Sequence, residues 1–223
     1  MNNSVGNTAR LMGAGLRALL VLTVLCGVIY PLAVTGIAQA AFGNKANGSE
    51  VKDAQGKVVG SELIGQTYNL PLKKGEETPA ADLKWFQPRP SNGLGANAVN
   101  TQYKLLLSGA TNKAGNNTEL IKAIDDAKKA VIKDNSVNGY TVKPSEVPAE
   151  AVTSSGSGLD PDISPTYARI QVHRIAEKNG LSVAQVEKLV KEHTDGRILG
   201  FMGEPTVNVL KLNIALKQLT GKG

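Results

Sequence analysis

The sequence has little of what reactive or metal-binding proteins commonly use. Of its 223 residues one is cysteine and two are histidine, and aromatic side chains make up 4%. The cysteine, Cys26, lies in an apolar stretch, so the rest of the chain has no thiol chemistry. His173 and His193 lack the spacing of a zinc site, and we expect no metal site. No set of residues has the pattern of an enzyme active site, and we expect no catalytic residues.

Charge is distributed unevenly along the chain. Residues 1–42 contain Arg10 and Arg17 but no acidic residue, and removing these two arginines from the formal charge of +6 leaves +4. Nucleic-acid binders concentrate basic residues on one face and often add aromatic side chains. Here basic and acidic residues are interspersed. Residues 175–190 have a helix-turn-helix pattern, but their second helix does not begin with arginine or asparagine. We therefore expect no nucleic-acid partner.

One long stretch without charged residues runs from Ala18 to Phe42. A helix of that length is about 38 Å long at ~1.5 Å per residue, which exceeds the ~30 Å hydrocarbon core of a bilayer. A helix also satisfies its own backbone polar groups in lipid. The sequence therefore predicts a short cytoplasmic tail over 1–17, a single transmembrane helix over 18–42, and a soluble extracytoplasmic domain over 43–223.

A secretory signal peptide is the alternative reading of this stretch. Residues 38–40, Ala-Gln-Ala, resemble a small-residue cleavage site. Signal peptides have apolar regions of about 7 to 15 residues, and this one is longer, which favours a retained anchor. The positive-inside count does not decide the orientation, because lysines follow the span as closely as arginines precede it. We favour a cytoplasmic N-terminus, since long domains translocate despite their charge.

Small residues and a proline within the span suggest a partner helix. Pro31 cannot donate a hydrogen bond to the carbonyl of Gly27, so we expect a kink there. Gly36 and Ala40 are four positions apart, the spacing that lets a second helix approach closely. Gly27, Pro31, Gly36 and Ala40 are therefore candidates for contact with a partner in the membrane.

Turn residues and apolar spacing predict a mixed α/β (α+β) fold for the soluble part. The turn-like residues 53–56 lie between two short segments, which predicts a hairpin. Apolar residues at helical spacing predict a helix over 119–133, opened by Thr118. Another helix is predicted over 206–219, although part of that segment alternates as a strand does.

Capping residues mark two further helices. Ser164 followed by Pro165 fits the N-cap and first position of a helix that ends at residues 179–180, Asn-Gly. Ser182 with Gln185 three residues later forms a capping box for the next helix.

Three polar features are candidates for binding. Arg89 lies between two prolines on a stiff extended backbone, either as part of a loop anchored by buried Trp85 and Phe86 or as a contact for an anion or carboxylate. Residues 154–158, Ser-Ser-Gly-Ser-Gly, either offer amides to an anion or form a linker. Asp160 lies near the start of a predicted helix, where its negative charge either interacts favourably with the helix dipole or attracts a cation.

The order of several motifs resembles the C subunit of the Kdp-type potassium-transporting ATPase. The similarity covers almost the whole chain. Its motifs are ANGS at 46, VGSELIGQ at 59, WFQPRPS at 85, SGATN at 108, VTSSGSGLDPDISP at 152 and GEPTVNVLKLNIAL at 203. The chain departs from the family pattern after SGATN, where it continues with KAGNN.

The resemblance implies a non-catalytic subunit, in the cell membrane, of a complex that imports potassium at the expense of ATP. In that family a channel-like subunit carries the ion and a P-type pump subunit hydrolyses ATP, while the C subunit stabilises the assembly and raises the pump's ATP affinity as a chaperone. It implies no tightly bound cofactor and allows contact with ATP through the complex with the pump subunit. The family-based candidates for nucleotide contact are Ser154, Ser155, Gly156, Ser157 and Gly158. In the soluble domain, Arg89 and Asp160 are candidates for partner contact.

Two other classes of function stay open. One is an independent membrane-tethered extracytoplasmic binding protein, and the other is a secreted soluble domain. Co-purification with large membrane subunits separates the first from the family reading, and N-terminal sequencing of the mature chain tests the second.

Overall fold

The chain divides into a helical unit that ends at Ser49 and a globular unit that begins at Glu50. The computed structural model describes residues 3–76, 79–91 and 108–221. The segment that begins at Trp85 and carries Arg89 was interpreted from its sequence up to residue 95. Residues 92–95 of it lie outside the described residues.

A nearly continuous helix forms the first unit. It consists of α1 (Asn3–Val24), a π-helical turn (Leu25–Ile29) and α2 (Tyr30–Ala46). The stretch Ser4–Ala46 has a mean hydropathy of 2.3 in its most apolar window, which is long and apolar enough to cross a membrane. The predicted 18–42 span lies wholly within this helix, and residues 3–17 continue it towards the N-terminus.

The π-helical turn accommodates Pro31. Because proline has no amide hydrogen, the regular bond to the Gly27 carbonyl is lost. The preceding Tyr30 amide donates to the carbonyl of Leu25, five residues back. A second irregularity occurs at Phe42, where φ is −137° and ψ is 41°. Nothing in the sequence predicted this second departure.

The globular unit begins with the expected hairpin. Strands β1 (Glu50–Lys52) and β2 (Val58–Ser61) pair antiparallel, with a register shift after Val51. The Asp53 carboxylate accepts hydrogen bonds from the amides of Gln55 and Lys57. This side chain therefore satisfies two donors that the turn leaves unpaired.

In the described part of this unit, four α-helices, a short 3₁₀ helix (Ala149–Ala151) and a small sheet follow the hairpin. The helices are α3 (Thr118–Asn135), α4 (Pro165–Asn179), α5 (Val183–Glu192) and α6 (Val209–Leu219). The strands β3 (Asp162–Ile163), β4 (Thr194–Asp195) and β5 (Thr206–Asn208) form an antiparallel sheet with β5 in the centre. A long apolar helix followed by a mixed helix and strand region confirms the predicted fold class.

The capping signals of α4 and α5 are confirmed. The Ser164 hydroxyl accepts from the Tyr167 amide, and Gly180 ends α4 with a left-handed φ of 67°. Ser182 and Gln185 form the reciprocal capping box of α5.

Three local expectations were wrong. Asn117, not Thr118, caps α3, because its side chain accepts from the Leu120 amide. Residues 206–208 form strand β5 instead of the first turn of a helix, because they pair with both neighbouring strands. Trp85 is only partly buried, whereas Phe86 is fully enclosed.

The core lies between α4, α5, α6 and the central strand. Its fully buried members are apolar side chains, and burying each of the larger ones contributes roughly 1.5–3 kcal/mol. They include Phe86, Ala168, Ile175, Val186, Val207, Leu212 and Leu216.

Candidate functional site

Two buried amide side chains hold the segment 85–87 in place. Asn213 of α6 accepts a hydrogen bond from the Phe86 amide and donates one to the Phe86 carbonyl, both at 2.9 Å. Gln171 of α4 accepts from the Gln87 amide at 2.7 Å and donates to its carbonyl at 3.0 Å. A buried backbone group without a partner costs about 1–3 kcal/mol. The two amides therefore supply the pairing that a sheet would otherwise provide.

Arg174 closes the same region from inside the core. The residue is 1% exposed, and its guanidinium donates to Asn135 Oδ1 at 2.8 Å and to Gln171 Oε1 at 2.6 Å. It also donates to the carbonyls of Trp85, at 3.0 Å, and Leu83. Burial lowers the pKa of Arg174 to about 10. Neutral amide and carbonyl oxygens thus stabilise this buried positive charge. The same hydrogen bonds fix the backbone carbonyls before Gln87.

The segment anchored in this way positions Arg89. Its Nη1 lies 2.9 Å from Asp160 Oδ2, and its Nη2 donates to the Thr153 carbonyl at 3.4 Å. The other Asp160 oxygen accepts from the Asp162 amide at 3.0 Å. The side chains of Arg89 and Asp160 are only 19% and 32% exposed. The structure therefore brings these two candidate residues together, and the carboxylate that contacts Arg89 lies within the same domain.

The serine-glycine loop, residues 154–158, is fastened to neighbouring segments. The Ser157 carbonyl accepts from the Ser108 hydroxyl at 3.0 Å and from the Gly109 amide at 2.8 Å. The Gly158 amide donates to the Ser155 carbonyl at 3.2 Å. Ser91 Oγ donates to the Gly158 carbonyl. The loop is a fixed connection, and its Gly158 amide is already paired within it.

A close backbone approach holds the other side of this loop. The Gly65 amide donates to the Leu159 carbonyl at 2.8 Å. A Cβ at Gly65 would lie 2.6 Å from the Asp160 carbonyl oxygen, so only glycine fits without displacement. Gly65 thus brings the segment after β2 onto the Asp160 turn.

Asp162 and Asn208 join the sheet to the β2 segment. Asn208 Nδ2 donates to Asp162 Oδ1 at 3.0 Å and to the Glu62 carbonyl at 2.9 Å. Burial raises the pKa of Asp162 above its ordinary value, and the Asn208 hydrogen bond offsets part of that increase.

The polar groups of this region hold chain segments together. The hydroxyls of Ser155 and Ser157 contact each other at 3.3 Å instead of a side chain that could act as a general base. His173 stacks on Tyr140 with ring centroids 3.8 Å apart, and His193 Nδ1 lies 2.9 Å from the Leu189 carbonyl. This geometry suits a rigid scaffold for contact with other molecules.

In the helical unit, the candidate partner residues lie on exposed helix positions. Gly27 is within the π-helical turn, and Pro31, Gly36 and Ala40 are in α2. A Cβ at Gly36 would meet no heavy atom within 4 Å. The helix surface at this position is therefore open to another helix.

Sequence reasoning missed the buried polar residues Gln171, Arg174 and Asn213. Their signal is a polar residue at a position that the helical spacing assigns to the core. Asn213, for example, lies between Leu212 and Ile214 in an apolar run.

Comparison with known proteins places the chain in a family. A family model described as "KdpC: K+-transporting ATPase, c chain" matches residues 12–218. A potassium-transporting ATPase KdpC subunit of Streptomyces avermitilis is 74% identical over 219 residues, which is 98% of each chain. The corresponding subunit of Streptomyces coelicolor is 66% identical over 223 residues, covering 100% of this chain and 99% of the relative. That of Mycobacterium bovis is 41% identical, covering 92% and 96%.

These matches extend over the membrane-span candidate and the globular unit alike. The chain belongs to the KdpC family, the c chains of K+-transporting ATPases. It is accordingly a potassium-transport subunit, and its described residues include one candidate membrane helix.

Proposed function

We propose that this chain is a non-catalytic accessory subunit of an ATP-driven potassium import complex and that it stabilises the assembly of that complex. In this proposal a channel-like subunit carries the ion and a P-type pump subunit hydrolyses ATP. The observation that carries the proposal is a long apolar helix, Ser4–Ala46, joined to a domain whose polar side chains secure its own backbone. The names of the relatives, potassium-transporting ATPase KdpC subunits, support it.

In the membrane, the helix packs against helices of the channel-like subunit. Gly27, Gly36 and Ala40 let a neighbouring backbone approach, and the π-helical turn before Pro31 sets which of these residues share a face. Lipid surrounds the remaining surface of the helix. The proposed role of this unit is to anchor the subunit in the complex.

The N-terminus is cytoplasmic and the globular unit lies outside the cell membrane, against the outer mouth of the channel-like subunit. Arg89, Asp160 and the serine-glycine loop lie on the globular unit and serve there as candidates for partner contact. A single cysteine at position 157, in a Cys26→Ser background, tests the orientation. We expect an impermeant thiol reagent to label it in intact cells; labelling only after the cells are opened would overturn the proposed topology.

ATP meets this chain only through its complex with the pump subunit. A domain outside the membrane does not contact cytoplasmic ATP, so the proposed chaperone effect on ATP affinity passes through the assembly. The paired Gly158 amide supports this indirect route, because it is unavailable to a phosphate. Residues 154–158 then act by holding the Asp160 turn in position.

Transport measurements test the accessory role. Cells that carry the channel-like and pump subunits are compared with and without this chain. We expect ATP-dependent potassium uptake only when the chain is present. In membranes that lack the chain, we expect ATP hydrolysis by the pump subunit to have a higher KM for ATP. Equal uptake and equal KM in both membranes would contradict the proposal. In that case an independent membrane-tethered binding protein becomes the better description.

A further inference from the structure

An exposed apolar turn connects β4 to β5. Four large apolar side chains, Ile198, Leu199, Phe201 and Met202, are 69%, 79%, 72% and 50% exposed. We call residues 198–202 the apolar tip. Soluble domains seldom display several such side chains side by side unless the patch has a partner.

The tip is a preformed structure. Ile198 and Met202 exchange two backbone hydrogen bonds of 2.9 Å, and the Gly200 amide donates to the Arg197 carbonyl at 3.0 Å. At its base, Arg197 Nη2 lies 2.8 Å from Glu204 Oε2. These bonds hold the apolar side chains on a closed turn, so little conformational entropy is lost when a partner covers them.

Leu199 is held in an unfavourable backbone conformation. Its φ of +53° lies in the left-handed region, which a bulky side chain rarely adopts. Glycine or asparagine would fit this position with less strain. The chain thus keeps a large apolar side chain, 79% exposed, where folding alone favours a small or polar one.

The surrounding charges favour a protein partner over a lipid surface. Loops that insert into membranes combine apolar side chains with unpaired basic residues that attract anionic headgroups. Between β4 and β5 the sole basic residue is Arg197, and it is paired with Glu204. The preceding Asp195 adds a negative charge. The tip therefore has no positive charge to draw it to a membrane.

Its shape and size argue against a second copy of this chain. A tip against a tip would place two convex surfaces in contact and bury little beyond four side chains per copy. A stable interface needs about 800 Å² on each partner. A concave pocket that surrounds the tip and continues onto the domain around it meets that requirement.

We infer that the apolar tip inserts into a concave apolar pocket on the channel-like subunit, against whose outer mouth the proposed function places the globular unit. This inference rests on the proposed accessory function. The tip side chains occupy the centre of the contact, where water is excluded, and the Arg197–Glu204 pair lies at its rim.

Substitutions at the tip test the inference in the full chain, co-expressed with the channel-like and pump subunits. We expect Phe201→Ser to weaken association with the complex about thirtyfold, as loss of a central aromatic anchor does. Leu199→Asn should weaken it about tenfold or more, yet leave the thermal midpoint of the purified full chain in detergent unchanged or higher, because it relieves the backbone. Leu63→Ser is the matched control, since Leu63 is also exposed, at 61%, but lies elsewhere on the domain.

The outcomes distinguish the two proposals. If wild-type chain associates with the complex and both tip variants associate equally well, the tip inference fails and the accessory function stands. If wild-type chain does not associate at all, the accessory function fails and the inference falls with it.

Photo-crosslinking identifies the occupant. With Phe201 replaced by p-benzoylphenylalanine, we expect a covalent adduct with the channel-like subunit, identified by mass spectrometry; an adduct with the pump subunit would overturn the inference. An adduct of twice the mass of this chain, or adducts with lipid alone, would overturn the inference.

Discussion

Asn213 and Phe86 are 127 positions apart in the sequence, and the Asn213 side chain exchanges two 2.9 Å hydrogen bonds with the Phe86 backbone. This contact fixes the start of the segment that carries Arg89. The position of Arg89 therefore depends in part on a buried amide of α6, together with that of Gln171.

Replacing this amide tests how strongly the segment is held. We expect Asn213→Leu to lower the free energy of unfolding by about 2–4 kcal/mol, because two buried backbone groups lose their partners. Chemical denaturation of the full chain in detergent, followed by circular dichroism, measures the change. Gln218→Leu is the control, since it makes a similar replacement at an exposed position of α6. Equal effects of the two substitutions would show that the Phe86 contact contributes little.

The Arg89–Asp160 pair is expected to couple the 85–91 segment to the Asp160 turn. A double-mutant cycle with Arg89→Met and Asp160→Asn should give a coupling energy of about 1 kcal/mol, since the pair is partly buried and solvent screens it in part. The asparagine keeps an oxygen for the Asp162 amide, so the cycle isolates the ion pair. Thermal unfolding in low salt measures the coupling. Additive effects of the two substitutions would mean that the residues do not interact energetically.

Two tyrosines should give the domain an alkaline limit. Burial raises the pKa of Tyr68 and of Tyr167 to about 12. The Tyr68 hydroxyl is buried without a hydrogen-bond partner among the described residues, and the nearby Asn213 side chain offsets only part of the increase in its pKa. In the unfolded chain tyrosine ionises near pH 10. The folded state therefore binds more protons between pH 10 and 12, and its stability falls as pH rises through that window.

The expected loss is at most about 1.4 kcal/mol per pH unit for each of these tyrosines. Absorbance of tyrosinate during alkaline titration measures the two pKa values. Tyr68→Phe and Tyr167→Phe should each remove one late-ionising group. If all tyrosines ionise near pH 10 while the domain remains folded, burial does not protect them as described.

Pro31 is expected to determine which face of the membrane helix contacts the partner. In Pro31→Ala the new amide can donate to the Gly27 carbonyl, which favours a regular α-helix over the π-helical turn. Removing that turn rotates Gly36 and Ala40 by about 100° relative to α1, the angle of one residue. We expect a lower yield of assembled complex at unchanged membrane levels of this chain. Pro144→Ala, in an exposed loop, should leave the yield unchanged; an equal yield for Pro31→Ala would exclude the proposed role.

Local signals predicted much of the fold because their physical causes are local. The capping box of Ser182 and Gln185 involves residues three positions apart, and the hairpin turn depends on Asp53 and its neighbours. Apolar spacing likewise sufficed for α3 and α4. Strand β5 was misassigned because residues 206–208 pair with strands elsewhere in the sequence, and neighbouring residues do not encode that pairing.

The candidate site was predicted only in part. Pro88 and Pro90 indicated that Arg89 is held in an extended segment, and contact with an anion or carboxylate was one of the two interpretations left open for it. That the carboxylate belongs to Asp160 could not be read from spacing, because the contact requires the whole domain to fold. The roles of Gln171 and Arg174 were missed for the same reason. The apolar tip is visible in the sequence as four large apolar residues around Gly200. Their spacing has neither a helical nor an alternating period, so it did not assign them to the core of a helix or strand.

The subunit composition of the complex, purified through a tag on the pump subunit, tests the central claim most directly. Cells express either the full chain or a chain whose residues 1–42 are replaced by a cleavable signal peptide that exports the same domain. The account predicts that the full chain co-purifies in a fixed ratio with the channel-like and pump subunits, and that the exported domain is largely lost. Full recovery of the complex with the exported domain would contradict an anchoring role for the apolar helix.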